Sequence, residues 1–254
     1  MTDALSITLA VFAAAAAGLV GAFALMKRTV LAGDVMSHIA IPGLGLAILW
    51  KIDPLAGGGL TLLAGILLIW HLQKSTELSA EAAIGVIFAS SVALGALLIH
   101  STEDLIDALF GGFGNLSWGQ FAFGISASLA IIVALWLMRN RLILALFSPE
   151  LAASSGIRVN AVNLWFLVIF GLAILVSLRF LGALLVGSLI IIPASAARQL
   201  THTLGRFLIA SVALSVASML IGFAIASHYA LEQGPTIVVV AAAIFALSLF
   251  KPKK

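Results

Sequence analysis

The chain has 254 residues, 63% of them hydrophobic and 9% charged, with a net charge of +3. A soluble domain of this length would carry about 25% charged residues, so the apolar surplus has to face lipid and a water-soluble globule is excluded. The basic residues stand singly between apolar runs, which excludes a nucleic-acid patch, and the absence of cysteine excludes disulfides and thiolate metal sites.

Nine apolar segments follow one another, at 5–26, 29–50, 54–72, 81–100, 118–138, 161–178, 181–197, 205–227 and 235–250. Each is near the roughly 17–25 residues that a membrane span needs. The second, seventh and ninth are the weakest, being amphipathic, interrupted by proline or short. Eight spans therefore remain open if one segment is re-entrant. The first run is preceded by no basic region and is followed by Lys27-Arg28, the order of a retained helix with its amino end outside.

Charge tests that orientation. With the N-terminus outside, the inner side receives Lys27, Arg28, Lys74, Arg139, Arg141, Arg158, Arg198, Arg206, Lys251, Lys253 and Lys254, which is 11 of the 13 basic residues. Only Lys51 and Arg179 remain outside. The positive-inside rule thus predicts nine spans, N-terminus out and C-terminus in. No soluble domain or linker interrupts the pattern, so residues 1–254 read as one all-α polytopic transmembrane bundle.

The second segment carries the chemistry. Asp34 and His38 stand four residues apart in Gly33-Asp34-Val35-Met36-Ser37-His38, a spacing that puts both side chains on one helix face. A carboxylate in the hydrocarbon layer costs roughly 2.5–3.5 kcal/mol on insertion scales, so such a residue usually has a task. Carboxylate oxygen and imidazole nitrogen together suit a first-row divalent metal. The structural alternative has Asp34 capping a helix that starts after Gly33, with His38 donating to a neighbouring carbonyl. Pro42 predicts a kink beside His38, because its ring removes an N–H and crowds the carbonyl of residue 38. One Asp–His pair supplies two ligands and a divalent site wants about four. Two copies meeting across a two-fold axis would supply the rest.

Two connections stand out. The outer one, 101–117, holds Glu103, Asp104 and Asp107 and a glycine cluster at 111–114, and predicts a short helix. The inner one contains Ser148-Pro149-Glu150-Leu151-Ala152-Ala153-Ser154-Ser155-Gly156-Ile157. Ser148 suits the N-cap, Pro149 the first helical position, Glu150 the N-terminal dipole and Gly156 the end. A short helix over 148–157 on the inner face follows, either as a lid or as a docking element. His71, His100, His202 and His228 fall at span ends, where interfacial residues sit, and Glu81 opens the fourth span. The glycines at 57–59 permit close helix packing. No phosphate-binding loop is present, so ATP would have to be hydrolysed elsewhere.

The ordered set of Gly33-Asp34-x-x-Ser37-His38 with Pro42-Gly43, Glu81-Ala-Ala-Ile-Gly85, Asp104-Leu-Ile-Asp-Ala-Leu-Phe110-Gly, Ser148–Ile157, Leu181-Gly-Ala-Leu-Leu-Val-Gly-Ser-Leu-Ile-Ile-Ile-Pro193-Ala and Gly234-Pro235 resembles the ABC-3 type integral membrane permease of bacterial zinc/manganese ABC importers. The resemblance implies a multi-pass permease of the bacterial inner membrane that is not itself an enzyme. It would work as a homodimer with two cytoplasmic ATPase subunits and an extracytoplasmic metal-binding protein. It also implies that Asp34 and His38 line the path and contact Zn2+ or Mn2+ in transit, with no permanently bound cofactor, and that 148–157 is the coupling helix. One departure is that some zinc permeases carry a fourth-span histidine where this chain has Ser90 or Ser91. Two other readings of the same residues are a stand-alone secondary metal carrier and an ABC permease for chelated iron.

Overall fold

In a computed structural model of the chain, residues 2–29, 31–77, 79–99 and 118–250 are described. The side chains of 2–4, 31–34, 54, 55, 80 and 178–185 lie outside that description, as does the outer connection 101–117 with its expected short helix. All the elements among the described residues are helices: α1 (Thr2–Met26), α2 (Leu31–Ile39), α3 (Ile41–Trp50), α4 (Pro54–Ser75), α5 (Ala80–Leu98), α6 (Trp118–Phe147), α7 (Pro149–Ser154), α8 (Val159–Leu200), α9 (Leu204–Tyr229) and α10 (Gln233–Leu249). Six stretches are long and apolar enough to cross a membrane, and three shorter apolar ones run over Val35–Trp50, Val186–Leu200 and Gln233–Leu249. These three are the segments whose sequence signal is weakest.

Helix α1 is the hub. Its alanine-rich surface and glycines let neighbours approach closely, and 72% of its apolar stretch is buried, against 28% for α4 and 22% for α5. It packs on α8, α9 and α6, while α10 closes the far side against α8 and α9. At the α1–α9 crossing the Ser211 hydroxyl donates to the Gly18 carbonyl at 2.6 Å, and that of Ser215 to the Ala14 carbonyl at 2.7 Å. Small residues and interhelical hydrogen bonds hold helices together where apolar burial gives no preference between lipid and protein. Outward faces carry large apolar side chains such as Leu60, Leu97, Leu137 and Val239.

Pairings between helices give their relative directions. Gly18 with Ser211 and Ala14 with Ser215 set α1 and α9 antiparallel. Gly43 meets Gly57 and Ile39 meets Gly65, so α2 and α3 together run against α4. His38 with Phe88 and Gly45 with Leu98 place α5 parallel to that pair. Gly59 with Leu175 and Ile66 with Gly171 set the first half of α8 against α4.

Helix α8, at 42 residues, cannot be straight. Lys27, just past α1, reaches Asn163, while Gly21 abuts Ile190. Those points on α1 are about 9 Å apart by helical rise, whereas Asn163 and Ile190 would be about 40 Å apart along a straight helix. The chain therefore folds back within α8, as the separate segments 161–178 and 181–197 anticipate.

Candidate metal site at a broken helix

The second segment is one pass made of two helices. Helix α2 ends at Ile39 and α3 begins at Ile41, with Ala40 between them at φ −74° and ψ −21° and Pro42 in the first turn of α3. Proline cannot donate to the carbonyl one turn back, so the expected kink beside His38 appears as a full interruption. The Leu44 N–H restarts the ladder on the Ala40 carbonyl at 3.0 Å.

Asp34 is the fourth residue of α2, inside the helix, so the reading in which it caps a helix starting after Gly33 is set aside. Its side chain lies outside the described part. The helix is continuous from Asp34 to His38, which by itself sets the two Cβ atoms about 5–6 Å apart on one face. The His38 ring is half-buried and meets the Phe88 ring of α5 edge-on, with centroids 5.6 Å apart at 71°. That contact fixes the plane of the imidazole. Between them, Ser37 is fully buried.

The frame around the break is built from glycine. A Cβ on Gly43 would collide with the Gly57 carbonyl, and one on Gly57 with the Gly43 carbonyl. The Thr61 hydroxyl sits between its own helix carbonyls, at 3.1 Å from that of Gly58 and 3.3 Å from that of Gly57, and 3.5 Å from the Ala40 carbonyl at the interruption. On α5, Gly95 lets Ile41 approach. Of the two fourth-span serines, Ser91 is buried on the same face as Phe88 and Gly95, whereas Ser90 is exposed and donates to the Val86 carbonyl. Phe88 and Thr61 have no sequence signal, because nothing local shows which face of α4 or α5 meets the break.

Among the described side chains, which exclude Asp34, no three His, Asp or Glu residues gather. His71 and His202 are exposed near helix ends; His228 packs edge-on against Tyr229 at 4.8 Å. His100 and the side chain of Arg179 lie outside the described part. The Ser79 hydroxyl caps α5 by accepting from the Ala82 N–H at 3.1 Å, with Glu81 exposed in the first turn.

The inner short helix forms as α7, with one correction. Pro149 takes the first position and Glu150 the first turn, but Ser148 makes no side-chain cap; at φ −149° and ψ 81° it contributes its carbonyl to the Ala152 N–H at 2.9 Å. Gly156 has φ +78°. The Ile157 N–H reaches the Ala152 carbonyl at 2.9 Å and that of Gly156 the Ala153 carbonyl at 3.0 Å, a Schellman ending. Phe147 and Leu151 are 72% and 59% exposed here, while Ala152 anchors the helix to the body.

Comparison with known proteins supplies the context. The description of the ABC 3 transport family matches residues 1–252. The chain is 30% identical over 242 residues to the high-affinity zinc uptake system membrane protein ZnuB of Haemophilus influenzae, covering 92% of this chain and 91% of that protein. It is 28% identical to the manganese import system permease protein ScaB of Streptococcus parasanguinis, covering 92% and 85%. In three dimensions it resembles PsaBC from Streptococcus pneumoniae in complex with Fab, with a TM-score of 0.87 at 25% identity, over 100% of this chain and 93% of that one.

Proposed function

Because the chain belongs to the ABC 3 transport family and is the membrane permease subunit of an ABC metal importer, we propose that two copies of it enclose a path for a naked divalent transition metal. Asp34 and His38 are its transient ligands. Their placement on one face of α2, directly before the break at Ala40, is the observation that carries this reading. Broken helices at membrane depth are where transporters put substrate sites, since side-chain and freed backbone groups converge there. Two Asp34 and two His38 across a two-fold axis make an N2O2 set, which one subunit cannot supply.

The metal is cargo, so the ligands must bind weakly enough to release it. Zinc is the first choice and manganese the next. Imidazole and the Irving–Williams order favour zinc, carboxylate admits manganese, and similarity to a zinc uptake protein and a manganese import permease spans the same pair. The N-terminus lies outside and the C-terminus in the cytoplasm. Helix α7, through Pro149, Glu150 and the Gly156 turn, receives the ATPase, and an extracytoplasmic metal-binding protein delivers the ion from the opposite side.

Uptake of Zn2+ and Mn2+ by the complex in liposomes tests this. Asp34→Ala and His38→Ala are each expected to abolish ATP-driven uptake while the permease still co-purifies with its ATPase. Near-normal uptake by both variants would remove the site. Uptake that persists without the ATPase would favour a stand-alone carrier, and transport only of a metal held by a chelator would favour the iron-chelate alternative.

A further inference from the structure

Lys27, a half-buried cation, is used by none of the chemistry above. Lys27 follows α1 at its inner end. Its Nζ donates to the Asn163 Oδ1 at 2.8 Å and lies 4.7 Å from the centroid of the Phe166 ring, itself 1% exposed. Both partners are neutral, and taking an ammonium even partly out of water is costly unless it is held. The hydrogen bond and the ring face both stabilise it.

The position of this contact is more telling than its strength. Arg28, next in the chain, adopts a left-handed φ of 57°; the Thr29 N–H reaches the Ala24 carbonyl at 3.0 Å and that of Arg28 the Leu25 carbonyl at 3.2 Å. Helix α1 thus ends in a closed Schellman corner, and α2 with Asp34 and His38 starts at Leu31. Asn163 and Phe166 lie in the first two turns of α8, which begins at Val159, immediately after the Gly156 turn that ends α7. Among the described residues, helix α7 packs mainly on α6 and touches the start of α8, and α8 in turn packs on α1 and α2. A displacement of α7 therefore reaches the α1–α2 corner through the start of α8, and Lys27–Asn163 is the polar tie at that junction.

We infer that the Lys27–Asn163 contact, seated on Phe166, is the strut that passes movement of the cytoplasmic helix α7 to the metal-binding helix α2. Lys27 and Asn163 act as positioning residues. The inference rests on the permease reading above, with α7 as the ATPase contact.

The test compares metal transported per ATP hydrolysed, using Zn2+ or Mn2+ and the complete permease–ATPase complex in liposomes. Lys27→Met keeps the apolar stem over Phe166 and removes the donor; Asn163→Leu removes the acceptor. Each is expected to lower metal per ATP by at least about tenfold, with assembly and ATP hydrolysis close to wild type. Lys27→Arg and Asn163→Asp, which keep a donor and an acceptor, retain wild-type coupling. A strut that only fastened the fold would instead lower yield and thermal stability and leave metal per ATP unchanged in the surviving complex, which overturns the inference. If Lys27→Met fails to assemble, the contrast of Asn163→Leu with Asn163→Asp decides in the same way. Failure of the underlying reading is distinct, because wild-type liposomes would then take up no metal in response to ATP.

Discussion

The crossing of α3 and α4 gives the sharpest quantitative expectation. Replacing Gly43 with alanine puts a Cβ onto the Gly57 carbonyl oxygen and the Thr61 hydroxyl, and 2.6 Å from the Gly57 carbonyl carbon. A carbon–carbon contact settles near 3.5 Å, so the helices must part by about 1 Å, and the atoms lining such a gap lose a quarter to a half of their dispersion attraction. Backbone cannot rotate out of the way as a side chain can. Overpacking of this kind costs about 1–3 kcal/mol, offset in part by the roughly 0.5–1 kcal/mol that alanine gains over glycine in a helix. A net loss of about 1 kcal/mol corresponds to a fall in melting temperature of roughly 2–4 °C for a domain of this size. Because Pro42 and the Ala40 break move with α3, metal uptake should fall as well. Melting followed by size-exclusion chromatography in detergent measures the first effect and liposome uptake the second. Gly205→Ala is the control: it lies in the first turn of α9 with open space around its Cβ position, and should not lower the melting temperature. Gly43→Ala melting with wild type, with full uptake, would refute the close crossing and the role given to it.

Gly156→Ala meets no atoms, since nothing lies within 4 Å of the Cβ position, but it must hold φ near +78° at a strain of about 1–2 kcal/mol. It should weaken binding of the ATPase by about tenfold, measured by titrating the ATPase onto the purified permease. The double variant Ser211→Ala, Ser215→Ala removes both hydroxyls that join α9 to α1. At roughly 0.6 kcal/mol each, it should lower the melting temperature by a few degrees without changing metal per ATP. Burial pulls Lys27 from 10.5 down to about 8, so between these values the folded permease holds one proton fewer than the unfolded chain. Stability should therefore rise with pH through that window, and the 13C resonance of reductively methylated Lys27, assigned with Lys27→Arg, should titrate near pH 8. A midpoint at the ordinary lysine value would contradict that burial.

Much of the architecture is legible because a bilayer imposes one simple demand, an apolar run long enough to span it with its backbone bonded internally. Segments 29–50, 181–197 and 235–250 read as weak, and two of them do so for reasons the structure shows: the first is two short helices around Ala40 and the third is only 17 residues long, whereas the second is the returning half of α8, which continues through Pro193. The end of α7 at Gly156 is equally local, since only a left-handed residue closes a Schellman turn. Ser148 misled because an N-cap side chain must point back at the helix, and its observed backbone angles do not present the hydroxyl to α7. The Phe88 ring against His38, the Thr61 hydroxyl near Ala40 and the Lys27–Asn163 bond join residues of different segments, the last pair 136 positions apart. No periodicity within one helix records which neighbour its inner face meets.

The same limit explains where function is vulnerable. Helix α2 has nine residues, too few to be stable alone, so the position of its Asp–His face is imposed by α4, α5 and α8. The glycines at 43, 57 and 95 and the Phe88 ring thus set the ligand geometry as firmly as the ligands' own helix does. Substitutions among them should impair transport without touching a ligand. Exchanges at the outward Leu60 or Leu97, 73% and 72% exposed, remove no contact that orients α2 within the chain, and conservative apolar replacements there should leave uptake unchanged. If the broken pass held its shape by local propensity, the ordering would reverse, and alanine at Gly43 or Gly57 would be silent while changes within α3 alone abolished uptake.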